Sequence, residues 1–140
     1  MPLPQQKFRE IVYQILFSCD FGQDDLRETS LMLMREARIT KRTVLQAYER
    51  VQSVVAHLPA IDHHIRESSK EYTLERISSA EKNAIRLGVF ELFYDEKVPW
   101  KVALAEAVRL TRKFGTPEGA DFVNALLDVI YAVGAPSLAQ

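Results

Sequence analysis

Residues 79–94 read SAEKNAIRLGVFELFY and show a regular helical pattern. The apolar residues of this stretch recur every three or four positions and form a broad stripe, which is typical of a helix packed between neighbours. Ser78 or Ser79 can cap the helix, and Ser78 with Glu81 fits a capping box. Gly88 lies within the stripe, where glycine costs about 1 kcal/mol of helix propensity relative to alanine. We interpret Gly88 as the site of a close helix–helix contact.

The same helical period recurs in six other segments, and no segment keeps a strand's period of two over a useful length. Residues typical of helix starts come at or before these segments: Pro4, Asp24, Thr40, Pro59, Pro99 and Thr116. The sequence therefore predicts an all-α protein of about seven helices. Its length favours one domain, residues 1–140, with a frayed tail over about 134–140.

The last of these helices begins within FGTPEGADFVNALLD, residues 114–128. Thr116 is suited to the N-cap, Pro117 to the first helical position, and Glu118 to the positive end of the helix dipole. Phe122 lies near the exposed end of the apolar stripe that follows. These signals suffice to predict an ordinary core helix.

The composition is that of an ordinary soluble protein, with 47% hydrophobic and 26% charged residues. The net charge of −1 does not indicate a nucleic-acid binder, so any such role must depend on a local patch. The only cysteine, Cys19, cannot form an internal disulfide, which favours the cytoplasm. We expect Cys19 to be a small packed hydrophobe. The stretch MPLPQQKFRE lacks the apolar core of a signal peptide, and no run of 18 apolar residues is present, so we expect no membrane-spanning segment.

The sequence lacks the motifs of common catalytic and cofactor sites. No phosphate-binding loop, nucleophile elbow or dinucleotide-binding turn is present. His63 and His64 are adjacent, so on a helix they point about 100° apart and cannot easily share one metal ion. We therefore expect no catalytic residues, no metal site and no cofactor.

Five segments together resemble the family of the bacterial transcription antitermination factor NusB. They are REIVYQILF (9–17), the EK…IRLGVFEL helix (81–92), VPWKVALAEAV (98–108), KFG (113–115) and FVNALLD (122–128). The resemblance is strong over residues 79–128 and weak over residues 24–74. It implies two three-helix bundles packed at an angle and no catalytic activity.

The resemblance also implies partners. Proteins of this family pair with the small-subunit ribosomal protein that doubles as NusE, and the pair binds the single-stranded boxA element of ribosomal RNA leaders. Together with NusA and NusG, they keep the RNA polymerase elongation complex from terminating early. We therefore expect a cytoplasmic, RNA-binding antitermination factor.

Single-stranded RNA is held by cations on its phosphates and by flat side chains against its bases. Carried onto this sequence, the family's RNA surface comprises Lys7, Arg9, Phe17, Trp100, Lys101 and Phe122, and its partner surface comprises Glu81 and Glu118. Each ring could instead pack in the core. Glu81 could simply close the capping box, and Glu118 could simply favour a helix start.

The N-terminus departs from the family pattern. Related sequences often carry an arginine-rich arm there, whereas MPLPQQKFRE holds only Lys7 and Arg9. Because each phosphate contact adds affinity, we expect weak RNA binding by this chain alone. The alternative is a protein-interaction module or a homodimer with little RNA binding.

The basic stretch over residues 35–50 is interpreted as a solvated face. Inside the helices, Arg86, Glu91 and Glu106 are expected to tie helices together.

Overall fold

The computed structural model describes residues 3–20, 26–70 and 72–138, with the backbone alone at 26, 27 and 135–138. Within these ranges the chain forms α-helices, one 3-10 turn at Leu74–Arg76 and no strand. The helices are α1 (Gln5–Cys19), α2 (Leu26–Glu36), α3 (Lys41–Ala56), α4 (Leu58–Ser68), α5 (Ser79–Tyr94), α6 (Trp100–Phe114) and α7 (Pro117–Leu138). The predicted all-α class and helix number are confirmed.

The helices fall into two compact units, one over Met1–Val55 and one over Ala56–Gln140. The first contains α1 to α3, and the second contains α4 to α7 with the 3-10 turn. That residues 1–140 make one domain remains a prediction.

In the first unit, α1 and α3 each bury one apolar face. Thr40 caps α3 as predicted, because its Oγ1 accepts a hydrogen bond from the backbone N–H of Thr43 at 3.1 Å. The apolar residues buried from α1 and α3 are Ile11, Val12, Tyr13, Ile15, Leu16, Val44, Ala47, Val51 and Val54. Burial of these stripes is what stabilises helices that have modest intrinsic propensity.

The core of the second unit is built by α5, α6 and α7, and Gly88 lies at its centre. A methyl group on Gly88 would lie 3.2 Å from Leu127 Cδ1 and 3.4 Å from Ala107 Cβ. The predicted close contact is confirmed: the missing side chain lets α5 approach both neighbouring helices.

The helices α5 and α7 run parallel. Glu81 at the start of α5 lies against Gly119 at the start of α7, and Phe93 near the end of α5 covers Gly134 near the end of α7. The Gly88 contact falls between these two levels. Both helices therefore begin at the same end of the unit, which brings the first turns of α5 and α7 together.

Charged residues within the helices form ion pairs. Arg86 of α5 donates two hydrogen bonds, of 2.9 and 3.0 Å, to the carboxylate of Asp62 in α4, so it ties two helices together as expected. Glu106 accepts hydrogen bonds of 2.9 and 3.1 Å from Arg109 of its own helix. Glu91 is buried, at 4% exposure.

One detail at a helix end differs from the sequence analysis. Cys19 ends α1 and is exposed, so the expectation of a packed thiol was wrong. The helix α7 continues to Leu138, past the point where the frayed tail is predicted, and residues 139 and 140 lie outside the described ranges. Fraying there, and a helix start at Asp24, which also lies outside these ranges, remain predictions.

No helix among the described residues has the length and apolarity needed to cross a membrane.

Candidate functional site

The first turn of α5 is fixed by Ser78. Its Oγ accepts a hydrogen bond from the backbone N–H of Glu81 at 3.3 Å and donates one to Glu81 Oε2 at 2.6 Å. Ser78 is thus the N-cap, and the predicted pairing with Glu81 is present, although the carboxylate accepts its hydrogen bond from the Ser78 hydroxyl rather than from a backbone N–H. The carboxylate of Glu81 is held over the start of α5.

The first turn of α7 is fixed in the same way. Thr116 Oγ1 accepts a hydrogen bond from the backbone N–H of Gly119 at 2.9 Å, which confirms Thr116 as the cap. Pro117 is the first helical residue, and Glu118 follows it in the exposed first turn. A carboxylate at this position is favoured by the helix dipole.

These two helix starts touch because residue 119 is glycine. A methyl group there would lie 3.0 Å from both Cγ and Cδ of Glu81, and 3.1 Å from Thr116 Oγ1. Contacts that short are tighter than carbon atoms normally tolerate. Gly119 therefore lets the carboxylate of Glu81 rest on the first turn of α7.

A cavity of about 440 Å³ opens where the two helix starts meet, and we call it the α7 cleft. Its lining residues are Tyr72, Arg76, Ile77, Ser78, Glu81, Thr116, Glu118, Gly119 and Phe122. Three of the predicted site residues, Glu81, Glu118 and Phe122, line it together. The cleft thus joins both predicted partner-surface residues to one predicted RNA-binding ring.

Tyr72 and Arg76 line the α7 cleft but were missed in the sequence. The rings of Tyr72 and Phe122 meet edge to face, with centroids 5.7 Å apart and an angle of 84° between planes. Tyr72 is 48% exposed. Both missed residues precede α5 in a segment where the chain has no regular period, so only their residue types could have drawn attention to them.

The chemistry of the cleft is mixed. Glu81 and Glu118 offer carboxylate oxygens, which accept hydrogen bonds from lysine or arginine side chains. Phe122 and Tyr72 offer partly exposed aromatic rings, which can stack on a base or pack on an apolar side chain. Arg76 adds one exposed cation. Such a surface suits recognition rather than catalysis.

Trp100 lies at another place in the second unit. Its indole stacks on the ring of Tyr131, with centroids 4.6 Å apart and planes within 7° of parallel. Trp100 is half-buried in the first turn of α6, next to the exposed Lys101. One face of the indole is therefore occupied within the protein.

The structure does not bring Trp100 and Phe122 together. Tyr131, on which Trp100 stacks, follows Phe122 on α7 by nine residues. This spacing is equivalent to about 13.5 Å along the helix axis and about half a turn around it. The two predicted RNA-binding rings therefore lie on opposite flanks of α7. Phe122 belongs to the α7 cleft and Trp100 to a separate ring pair.

The first unit holds the other predicted RNA-binding residues. Lys7 is exposed, whereas Arg9 is only 7% exposed. Phe17 is half-buried, with its ring centroid 6.2 Å from that of the buried Tyr13. Of the two N-terminal cations, only Lys7 presents its charge freely to solvent.

The adjacent histidines do not form a metal centre with their neighbour Asp62. That carboxylate is occupied by Arg86, and the ring of His64 stacks on Phe93 with centroids 4.2 Å apart. In the described ranges, no group of three or more histidine, cysteine, aspartate or glutamate residues could hold a metal ion.

Comparison with known proteins identifies relatives along almost the whole chain. Residues 6–132 match the model of the NusB family. The transcription antitermination protein NusB of Wolinella succinogenes is 36% identical over 122 residues, which cover 87% of this chain and 90% of that protein.

Two solved structures also resemble the chain. NusB from T. maritima superimposes with a TM-score of 0.81 at 27% identity, over 98% of this chain and 96% of the other. A chain from the crystal structure of the antitermination factors NusB and NusE in complex with dsRNA gives a TM-score of 0.77 at 26% identity, over 91% and 96%. From its sequence and its fold alike, this chain belongs to the NusB family.

Proposed function

We propose that the protein is an RNA-binding transcription antitermination factor that acts with a NusE-type ribosomal protein on boxA-like sequences of ribosomal RNA leaders. The observation that carries the proposal is the α7 cleft, which gathers Glu81, Glu118 and Phe122 from two helix starts. Relatives named as transcription antitermination proteins, and a similar chain solved with NusE and RNA, support the same function.

The partner protein contacts the carboxylate side of the cleft. Ribosomal proteins are rich in lysine and arginine, and the carboxylates of Glu81 and Glu118 are suited to accept their hydrogen bonds. Charge complementarity of this kind speeds association and fixes the register of the two surfaces. Because Glu81 is held by Ser78 and Gly119, little side-chain freedom is lost when the partner binds.

The RNA contacts the ring side of the same cleft. Phe122 supplies a base-stacking surface supported by Tyr72, and the partner protein completes the site. In the second unit the half-buried Trp100 and the exposed Lys101 offer further RNA contacts, and in the first unit the exposed Lys7 offers another. We leave Arg9 out of this path because a buried guanidinium has little surface to offer a phosphate.

Phe17, which lies in α1 and is half-buried, stays among the proposed RNA-binding residues. In the cell, the complex would act in the cytoplasm on the RNA polymerase elongation complex together with NusA and NusG. The proposal includes no catalytic step, metal ion or cofactor.

The test is a binding titration of boxA-like single-stranded RNA with the chain and its ribosomal partner mixed. We expect the mixture to bind this RNA at least tenfold more tightly than a scrambled RNA of the same composition, a typical size for base-specific recognition. Equal binding of the two RNAs at moderate salt would contradict the proposal.

A second candidate is a homodimer that uses the flank of α7 next to the cleft. Val129 and Val133 are 44% and 75% exposed and follow Phe122 by seven and eleven residues, so all three share one side of the helix. Light scattering on the isolated chain distinguishes the candidates. A stable dimer whose mass does not change when RNA and partner are added would favour this one.

A further inference from the structure

We propose that a second cavity, in the first unit, binds one nucleotide of the RNA. The cavity measures about 700 Å³, and among the residues that line it are Gln5, Phe8, Arg38, Arg42, Thr43 and Gln46. Its volume is in the range of sites that take a small molecule or one residue of a polymer. The inference rests on the proposed RNA-binding function and adds a site to it.

The cavity is positively charged. Arg38 and Arg42 are both exposed, and none of the described residues that line the cavity is acidic. Neither arginine forms an ion pair with a carboxylate in the described parts of the chain. Two free guanidinium groups at one cavity are suited to grip a phosphate, because each presents a fork of N–H donors.

The cavity also offers groups that recognise a base. Phe8 from the first turns of α1 lies in its wall with its ring partly exposed, and a ring of this kind stacks on any base. Gln5 and Gln46 carry amides that both donate and accept hydrogen bonds, as the edges of bases require. Cations, a ring and amides at one cavity favour a nucleotide over an acidic peptide, which needs no ring.

This site supplies what the N-terminus lacks. The first ten residues hold only Lys7 and Arg9 as cationic side chains, and Arg9 is buried. Arg42 lies in the first turn of α3 and Arg38 just before that helix, so both lose less freedom on binding than a flexible arm would. The basic stretch over residues 35–50, interpreted from the sequence as a solvated face, thus contains an RNA-binding site.

The test neutralises the two cavity arginines in the full chain. Arg38 has φ of 54°, a left-handed conformation that glycine adopts freely, so Arg38→Gly combined with Arg42→Gln should fold. The matched control, Arg35→Gln with Arg112→Gln, removes the same charge from exposed positions outside the cavity.

RNA binding is measured for the complex with the ribosomal partner over a range of salt concentrations. We expect the cavity variant to bind boxA-like RNA about tenfold more weakly at moderate salt, with a log–log salt slope lower by about 0.7, as for the loss of one single-stranded phosphate contact. The control should stay within about twofold of the unmodified protein at moderate salt. Equal affinities and slopes for the two variants would overturn the inference.

A second measurement separates this inference from the proposed function. NMR spectra of the chain alone are recorded with a short oligouridylate and, separately, with polyglutamate of equal charge. Shifts of Thr43, Gln46 and the arginine side chains with oligouridylate, absent in the cavity variant, support the site even if no boxA preference is found. No such shifts, or equal shifts with polyglutamate, would overturn the nucleotide assignment.

Discussion

The helices α5 and α7 meet at several glycines, and the contacts at Gly88 and Gly119 differ in kind. At Gly88 the neighbours are the side chains of Leu127 and Ala107, all buried. At Gly119 the neighbours are the carboxylate stem of Glu81 and the hydroxyl of Thr116, at the edge of an open cleft. In both places a missing side chain allows the close contact. At Gly88 this contact belongs to the core, and at Gly119 it shapes a binding surface.

One helix pair therefore serves two purposes. Apolar contact at the Gly88 level holds α5 and α7 in register, and this register determines which residues meet at the helix starts. The polar residues at the starts contribute little to burial, so they are free to present hydrogen-bonding groups. A change at the core level should therefore alter stability, and a change at the cleft level should alter recognition.

The largest expected effect is that of Gly88→Val. A methyl group at this position already meets its neighbours at 3.2 and 3.4 Å, and the extra branches of valine must push α5 away from α7 or α6. We expect a loss of about 3 kcal/mol in the free energy of unfolding, at the upper end of typical overpacking costs. Urea denaturation measures it, with Ala105→Val on the exposed face of α6 as the control. A loss no larger than the control's would show that the contact is loose.

Gly119→Ala is expected to act on recognition instead. The added methyl would lie 3.0 Å from Cγ and Cδ of Glu81, so the carboxylate must shift by a few tenths of an ångström from its place over the two helix starts. We expect partner binding to weaken about tenfold, equivalent to about 1.4 kcal/mol. The free energy of unfolding should change by less than about 1 kcal/mol, because the gain in helix propensity offsets the strain on the Thr116 cap.

Isothermal titration with the ribosomal partner checks this prediction, and Ala125→Gly, an exposed change in the same helix, is the control. Unchanged affinity for the partner would place its surface away from the α7 cleft. A large loss of stability would mean that both glycine contacts belong to the core.

Two ring pairs also pack an aromatic residue against α7, namely Trp100 on Tyr131 and Tyr72 on Phe122. Trp100 and Tyr131 stack nearly parallel, which occupies one face of each ring, whereas Phe122 meets Tyr72 edge to face. We expect a double-mutant cycle of Trp100→Leu and Tyr131→Leu to give a coupling energy of about 1 kcal/mol in stability.

In RNA binding, we expect Phe122→Leu to cost about 1–3 kcal/mol, as for the loss of one stacked base. Trp100→Leu should cost less, because its ring is already stacked within the protein. A larger loss of RNA affinity from Trp100→Leu than from Phe122→Leu would reverse the ranking of the two ring pairs.

Local signals made the helix starts predictable. The caps at Thr40, Ser78 and Thr116 depend on residues three positions apart, and each is present. The contact at Gly88 was predictable because a glycine costs helix propensity, and within an apolar stripe a close neighbouring helix can offset that cost. The pairing of α5 with α7 at Gly119 is a long-range contact, and no local pattern announces it.

The candidate site was predictable only in part, and Arg9 shows why. It precedes Val12, Tyr13 and Leu16 by three, four and seven residues, so helical geometry places it on the same buried side of α1. The family resemblance assigned an RNA-binding cation to position 9, but it did not indicate which face of α1 that residue occupies. Tyr72 was missed for the opposite reason, since the segment before α5 has no period that could assign a side chain to a surface.

The smallest expected effect is at the far end of the same helix pair, where Phe93 of α5 covers Gly134 of α7 and His64 stacks on Phe93. Burial, and to a lesser extent the charge of His63, lowers the pKa of His64 below its ordinary 6.5. As the pH falls through this value, the unfolded chain takes up a proton that the folded protein accepts only at lower pH. The stability that His64 contributes is therefore present above about pH 6.5 and is lost below it.

The effect should be small because the ring is partly exposed to solvent. Urea unfolding at pH 7.5 and 5.5 measures it: we expect His64→Gln to reduce the decline in stability, and His63→Gln to keep most of it, because burial is the larger cause. An NMR titration reports the pKa of His64 directly. A pKa at or above 6.5 would mean that water reaches this end of α5 and α7. This end would then resemble the contact at Gly119, which borders the α7 cleft, rather than the buried contact at Gly88.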